Sequence, residues 1–127
     1  MKANYKIAIA LVAGAAIGGA AIQGLHAQAK PRAFVVAEVD VTNQDAFIKE
    51  YTPLAVKALT ESGNKVVARG GKTATIEGAP PKRIVINSFD NLDQAVAAYN
   101  SPAYKEARQI GNKYATFRIY AVEEFTK

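Results

Sequence analysis

Arginine side chains beside glycines and tyrosines carry most of the chemistry that this sequence offers. Arg69 ends a β-rich stretch and is followed by Gly70 and Gly71, and Arg108 follows Tyr104 at the spacing of one helical turn. A guanidinium presents a planar pair of donors that suits a carboxylate or an enolate oxygen. Glycines allow a ligand or a backbone to approach closely. These residues predict a binding site for an oxygen-rich, anionic group.

Two tyrosines flank a break between helices and extend this candidate site. Tyr99 and Tyr104 lie on either side of Asn100, Ser101 and Pro102, where they could donate hydrogen bonds or transfer protons. Glu38 and Tyr99 are the candidates for a catalytic role, with Glu38 as a base. The full set of candidate ligand-binding residues is Arg69, Gly70, Gly71, Tyr99, Ser101, Tyr104 and Arg108.

A purely structural interpretation competes at each of these positions. In it, Arg69 pairs with Glu38 or Asp40, Tyr99 completes an apolar helix face, and Ser101 caps a helix. Both interpretations stay open at the level of sequence, because each residue type serves either purpose.

Several catalytic classes are excluded by the residues that the chain lacks. The sequence has no cysteine, and its only histidine is His26, which lies in a segment predicted to be removed. Thiol catalysis, Ser-His-Asp hydrolysis and histidine-ligated metal sites therefore lose their usual groups. The carboxylates show no spacing typical of metal ligands. The sequence predicts neither a metal site nor a cofactor.

The first twenty-nine residues have the pattern of an export signal. Lys2 and Lys6 precede an apolar run over residues 7–22, and small residues follow at Ala27 and Ala29. We expect cleavage after Ala29, with Ala27 as the alternative, and a periplasmic or secreted domain over residues 30–127. An uncleaved membrane anchor is the rival interpretation, but the run is shorter than the roughly twenty residues that span a bilayer. No stable membrane span is therefore expected after the signal is removed.

The charge balance of the chain does not favour nucleic acid as a partner. The formal net charge is +5, and removal of the two signal lysines leaves +3. The remaining basic residues are scattered along the chain, whereas a nucleic-acid footprint needs a basic stripe with interleaved aromatic residues.

Hydrophobic periodicity divides residues 30–127 into alternating strands and helices. A strand is predicted over 33–41, a helix from the caps Thr42 and Asn43 to Gly63, and a strand over 65–69. Pro53 predicts a kink near Tyr51 or a second helix start at Thr52. The glycine pair predicts a turn or bulge before an extended stretch over 73–77, and residues 70–81 form either one long strand with a bulge or a strand with a loop. A strand over 83–89, helices over 92–99 and from Pro102 to about 113, and a last strand over 116–122 complete the pattern.

This element order predicts an α+β ferredoxin-like βαββαβ fold, with a four-stranded antiparallel sheet and helices on one face. The opposite, open face is too apolar to suit water, so we expect it to pack against a second copy in a homodimer, with a small-molecule cavity between the two sheets. A monomer with a half-apolar surface is the alternative. Alternation assigns to the open face Phe34, Val36, Glu38, Val85, Asn87, Arg118 and Tyr120.

Several segments resemble one family in an ordered combination. They are residues 34–39, the helix with Phe47 and Tyr51, residues 67–73, residues 82–86, and residues 99–104 with Ala107 and Arg108. Together they resemble the family called domain of unknown function 1330. The resemblance implies a ferredoxin-like fold in the dimeric α/β-barrel superfamily, whose relatives include small oxygenases, isomerases and haem-associated enzymes. It implies no established activity. The export signal departs from the family pattern, as does Asn87, where an acidic residue is common.

The sequence leaves three functions open. The first is a homodimeric module that binds a small, partly apolar or anionic molecule, oriented by Arg69 and Tyr99. The second is a cofactor-independent oxygenase or isomerase that stabilises an enolate-like intermediate, with Glu38 as base. A solvent-facing, paired Glu38 would argue against that enzyme. The third is an interaction module without a ligand.

Overall fold

The computed structural model describes residues 30–127, and the predicted export signal lies outside the described residues. The described part confirms the α+β ferredoxin-like fold. It contains four α-helices and a π-helical segment between the first two. None of these helices is both long and apolar enough to cross a membrane. The elements in chain order are β1 (Ala33–Val41), α1 (Gln44–Ala46), the π-helical segment (Phe47–Tyr51), α2 (Thr52–Glu61), β2 (Lys65–Arg69), β3 (Arg83–Phe89), α3 (Leu92–Tyr99), α4 (Pro102–Gly111) and β4 (Ala115–Glu123).

The four strands form one antiparallel sheet in the order β2-β3-β1-β4. Side chains alternate between the two faces along β1, because successive residues of a strand point in opposite directions. Ala33, Val35, Ala37 and Val39 are buried in the core, while the residues between them are partly exposed. The helices cover the buried face, and the other face stays open within the chain.

The strand register corrects the predicted composition of the open face. Val35 lies opposite Asn87, and Ala37 lies opposite Val85, so Val85 and Asn87 belong to the helix-covered face. The sequence-based assignment of both residues to the open face was wrong. Ile84 and Ile86 take their places, opposite Glu38 and Val36. The open face is therefore more apolar than predicted.

The first helical region begins and bends where its local sequence requires. The Asn43 side chain accepts a hydrogen bond from the Ala46 backbone at 3.2 Å, which satisfies a donor at the helix start. Pro53 has no N–H to donate, and the π-helical segment precedes it directly. The Thr52 backbone N–H and hydroxyl both donate to the Phe47 carbonyl. A second helix therefore starts beside Pro53, although Thr52 does not cap it through its side chain.

Side-chain caps also begin the helices of the second helical region. The Asn91 side chain accepts from the Gln94 backbone at 2.8 Å, and the Ser101 hydroxyl accepts from the Tyr104 backbone at 3.3 Å. Pro102 occupies the first turn of α4, where its missing N–H costs nothing. Gly63 ends the first helical region with φ of +93°, a conformation that glycine adopts readily.

The segment between β2 and β3 differs from the prediction. Residues 73–77 form no strand, so the predicted extended stretch was wrong there. Ile76 is fully exposed, and the whole segment from Gly70 to Pro80 is exposed. The register shift in β2 lies between Val66 and Ala68 rather than at the glycine pair. This segment forms an irregular loop after the end of β2.

Candidate functional site

A cavity of about 70 Å³ lies between the sheet and the helices. Alternate residues of β1, β3 and β4 form its floor, and the π-helical segment and α2 form much of its wall. The lining is mainly apolar and includes Val39, Val85, Ile119, Phe47, Leu59 and Phe117. The cavity belongs to the helix side of one chain, whereas the sequence placed a cavity between two sheets.

A hydrogen-bonded pair interrupts this apolar lining. The Asn87 amide nitrogen donates to the Tyr99 hydroxyl at 2.9 Å, and Asn87 is only 3% exposed. The Asn87 amide oxygen is buried and has no hydrogen-bond partner among the described residues. A buried acceptor without a partner costs stability. The pair therefore holds an unused hydrogen-bonding group at the cavity wall.

Two tyrosine hydroxyl groups form a second polar pair in the same cavity. The Tyr51 and Tyr104 hydroxyls are 3.3 Å apart, and the Tyr104 ring packs against the Tyr99 ring at a centroid distance of 4.7 Å. Burial raises the pKa of Tyr99 to about 12, although the hydrogen bond from Asn87 opposes that shift. Burial also raises the pKa of Tyr51 above its usual value of 10. The Tyr51 and Tyr99 phenols are therefore protonated at neutral pH.

Two arginines from neighbouring strands line the cavity where it approaches the surface. Arg69 ends β2 and Arg83 begins β3, and both side chains line the cavity. Arg69 is exposed and Arg83 is half-buried. Arg69 was predicted from the sequence, whereas Arg83 was not. These two arginines define the mouth of the cavity.

The structure brings only some of the predicted residues together. Tyr99, Tyr104 and Arg69 line one cavity, which lies on the covered face of the sheet rather than between two sheets. Ser101 caps α4 and also donates to the Ala98 carbonyl at 2.8 Å, which is a structural role. Gly71 is exposed, and a side chain there would meet nothing within 4 Å.

Arg108 packs below the cavity rather than lining it. Its guanidinium lies 3.8 Å from the centre of the Phe117 ring and donates to the Asn112 side chain at 3.2 Å. Such a cation–π contact stabilises the helix against the last strand. Its positive charge lowers the pKa of Tyr51, against the larger effect of burial. Arg108 therefore supports the cavity wall.

Glu38 lies on the face of the sheet opposite the cavity. Its carboxylate forms an ion pair with Arg118 at 3.5 Å, and its side chain is 31% exposed. The structural alternative that paired Arg69 with Glu38 is therefore wrong. The paired, partly solvent-facing carboxylate meets the condition that argues against Glu38 as the base of an enolate-forming enzyme.

Sequence reasoning missed Arg83, Asn87 and Tyr51 as cavity residues. Tyr51 was assigned no role in a site, and Asn87 was placed on the wrong face of β3. A consistent phase for β3 could have found Arg83, because it shares a face with Val85 and Asn87. Among residues 30–127, no group of three or more His, Cys, Asp or Glu side chains could hold a metal ion.

The fold and cavity define a class of α+β proteins with a small space between sheet and helices. Within that class, the chain belongs to the domain of unknown function 1330 family (DUF1330), whose sequence profile matches residues 32–125. No curated protein matches the chain.

Solved structures share the fold at low sequence identity. A protein of unknown function from Rhodopseudomonas palustris, RPA0582, has 14% identity and a TM-score of 0.63, with 84% of this chain and 93% of that chain covered. SnoaB, a cofactor-independent oxygenase from Streptomyces nogalater, has 9% identity and a TM-score of 0.56, with 76% and 96% covered. A candidate antibiotic biosynthesis monooxygenase from Caulobacter crescentus has 17% identity and a TM-score of 0.57, with 76% and 92% covered. At these identities, the likeness shows the fold alone.

Proposed function

We propose that this protein binds a small, largely apolar molecule in the cavity between its sheet and its helices. The observation that carries the proposal is the pair of buried Asn87 and half-buried Tyr99, which has an unused amide oxygen in a mainly apolar lining. Buried polar groups usually have all their partners. An exception beside a cavity supports a role in positioning a bound molecule.

The size of the cavity limits what it can hold. Its volume of about 70 Å³ is below the roughly 150 Å³ of a dry cavity that takes up benzene. A slender alkyl chain or the edge of a ring therefore fits better than a fused ring system. The rest of such a ligand extends past Arg69 and Arg83 toward solvent.

An enzyme of the oxygenase or isomerase kind is the second candidate, and the fold shared with SnoaB favours it. Deprotonation of a substrate needs a base, yet the described lining of the cavity contains no Asp, Glu or His. With a pKa of about 12, Tyr99 is ionised in roughly one molecule in 100,000 at pH 7. Tyr99 therefore acts better as a hydrogen-bond donor than as a base, which ranks binding above catalysis.

Assembly and location complete the proposal. The open face presents Val36, Ile84, Ile86 and Tyr120 beside the Glu38–Arg118 pair, and packing two such faces together would remove their apolar surface from water. We propose a homodimer of this kind, exported with cleavage near Ala29. A further cavity between the two sheets stays a prediction.

The first experiment records the mass of the exported protein under non-denaturing conditions. A chain that starts near Lys30 supports export. A mass of twice the chain supports dimerisation, and extra mass that is lost on denaturation supports ligand binding. A full-length chain contradicts cleavage, and a single-chain mass contradicts the dimer.

A chain-length series then tests the cavity directly. Binding of 1-butanol, 1-pentanol and 1-hexanol is followed by NMR titration, and affinity should rise about fourfold for each methylene that becomes buried. The variant Ala55→Leu fills the cavity from α2 and should abolish this trend. Ala97→Leu, on the exposed side of α3, is the matched control and should leave it unchanged. A flat series in the unmodified protein would contradict the proposed function.

A further inference from the structure

We propose that Arg83 and Arg69 together form a clamp for the carboxylate of the bound molecule, and that Gly70 makes room for the Arg83 side chain. This inference rests on the proposed function and deepens it. The ligand then belongs to the class of monocarboxylates whose largely apolar chain carries one hydrogen-bond donor for the Asn87 oxygen; the chain enters the cavity while the carboxylate stays at the mouth.

The strand register places the two arginines side by side. Arg69 lies opposite Val85 on β3, and Arg83 precedes Val85 by two residues on the same face. Side chains in this diagonal relation on neighbouring antiparallel strands lie about 7 Å apart at their first carbons. Both therefore reach the same point at the end of β2, and both line the cavity.

Neither arginine has an anionic partner within residues 30–127. The ion pairs described there join Arg32 to Glu124 and Arg118 to Glu38, and no hydrogen bond or ion pair involves the Arg69 or Arg83 side chain. Asp40 lines an adjoining pocket with Arg83, but the two form no ion pair. Two neighbouring cations without a carboxylate repel each other, so a bound anion would stabilise the arrangement.

Gly70 is the residue that admits Arg83 to this position. Its φ of +59° is in the left-handed region, and its backbone N–H donates to the Ile84 carbonyl at 2.9 Å. A side-chain carbon on Gly70 would lie 2.9 Å from the central carbon of the Arg83 guanidinium, which is closer than van der Waals contact allows. A side chain at position 70 therefore forces the Arg83 guanidinium to shift from this position.

The chemistry of the site selects a carboxylate with an apolar tail. Guanidinium groups match the planar, two-oxygen geometry of a carboxylate, and charge-assisted hydrogen bonds of this kind are stronger than neutral ones. Beyond the two arginines, the described lining is mainly apolar and contains no charged side chain. A neutral alcohol of the same length would keep the tail contacts and lose the clamp.

The test compares hexanoate with 1-hexanol, which differ in the head group. Dissociation constants are measured by NMR titration at pH 7 and low salt for the unmodified protein and for Arg83→Gln, Gly70→Ala and Gly78→Ala. Gly78 also has a positive φ, of +87°, but a side chain there would meet nothing within 4 Å. Gly78→Ala therefore controls for backbone strain without moving Arg83.

The clamp predicts that the unmodified protein prefers hexanoate over 1-hexanol by about tenfold, and that salt weakens this preference. Arg83→Gln and Gly70→Ala should reduce the preference to about twofold or less without changing the affinity for 1-hexanol, while Gly78→Ala keeps it. Equal binding of the two probes by the unmodified protein, or an intact preference in Arg83→Gln, would overturn the clamp and leave the cavity proposal standing. Failure of both probes to bind would overturn both proposals.

Discussion

The polar pair of Asn87 and Tyr99 in the cavity wall should lower the free energy of unfolding of this protein. Replacing both polar groups with apolar groups of similar shape, in the double variant Asn87→Leu/Tyr99→Phe, removes the hydrogen bond of 2.9 Å. It also removes the amide oxygen that has no partner in the described structure. The two effects have opposite signs, so their magnitudes decide the outcome.

The balance favours the apolar variant. Loss of a hydrogen bond between neutral groups costs about 1 kcal/mol, whereas removing a buried unpartnered acceptor relieves about 1–3 kcal/mol. The double variant should therefore match the unmodified protein or exceed its free energy of unfolding by up to about 2 kcal/mol. Tyr99→Phe alone leaves the Asn87 amide group with no partner at either end, so it should be about 1–3 kcal/mol less stable.

A double-mutant cycle tests this balance by comparing the urea unfolding of the unmodified protein, both single variants and the double variant. The reasoning is refuted if Tyr99→Phe is as stable as the unmodified protein, or if the double variant loses more than about 1 kcal/mol. Native mass measurement of the same proteins links stability to function. If the pair positions a ligand, the double variant should no longer retain the extra mass, despite its stability.

Three further changes test the core, the tyrosines and the open face. Gly111→Ala should lower the free energy of unfolding by about 1–3 kcal/mol, because the added carbon would lie 2.7 Å from the Tyr51 ring and 3.0 Å from the Phe117 ring; unchanged urea stability would contradict this packing. The raised pKa values of Tyr51 and Tyr99 favour the folded state below pH 10, so the free energy of unfolding should fall as pH rises from about 10 to 12. In Tyr99→Phe this fall should be smaller by about 3 kcal/mol. Equal alkaline unfolding curves for the two proteins would contradict the shift. Val36→Asp should convert the proposed dimer to a folded monomer in sedimentation, and an intact dimer would exclude the open face as its interface.

The fold could be predicted because the signals that begin and end its helices and strands are local in sequence. Asn43, Asn91 and Ser101 cap helices through side chains that reach backbone groups three residues away, and such contacts depend on little beyond the neighbouring sequence. Alternation along β1 was equally clear, since its buried positions are all apolar and Glu38 and Asp40 mark the other face. These signals suffice for the element order, and the element order determines the fold class.

The phase of β3 could not be predicted in the same way. Ile84, Val85 and Ile86 are apolar on both faces, so alternation in this strand does not say which face is covered. Pairing with β1 decides the question, because Val35 and Ala37 bring Asn87 and Val85 to the helix side. Such pairing is a contact between distant segments, and a single sequence contains no direct record of it.

Small residues in the core indicate where the cavity lies. Residues facing the core from the sheet and from α2 include Ala37, Ala55 and Ala58, and small side chains between packed layers leave space that larger neighbours must fill. The bulky residues that close this space are Tyr51, Tyr99 and Tyr104, whose hydroxyls need partners when buried. Alanines that face tyrosines across a helix–sheet interface therefore predict a polar-edged cavity on the covered face of the sheet. The open face lies on the other side of the sheet, and it is the face that we propose for a second copy rather than for a small molecule.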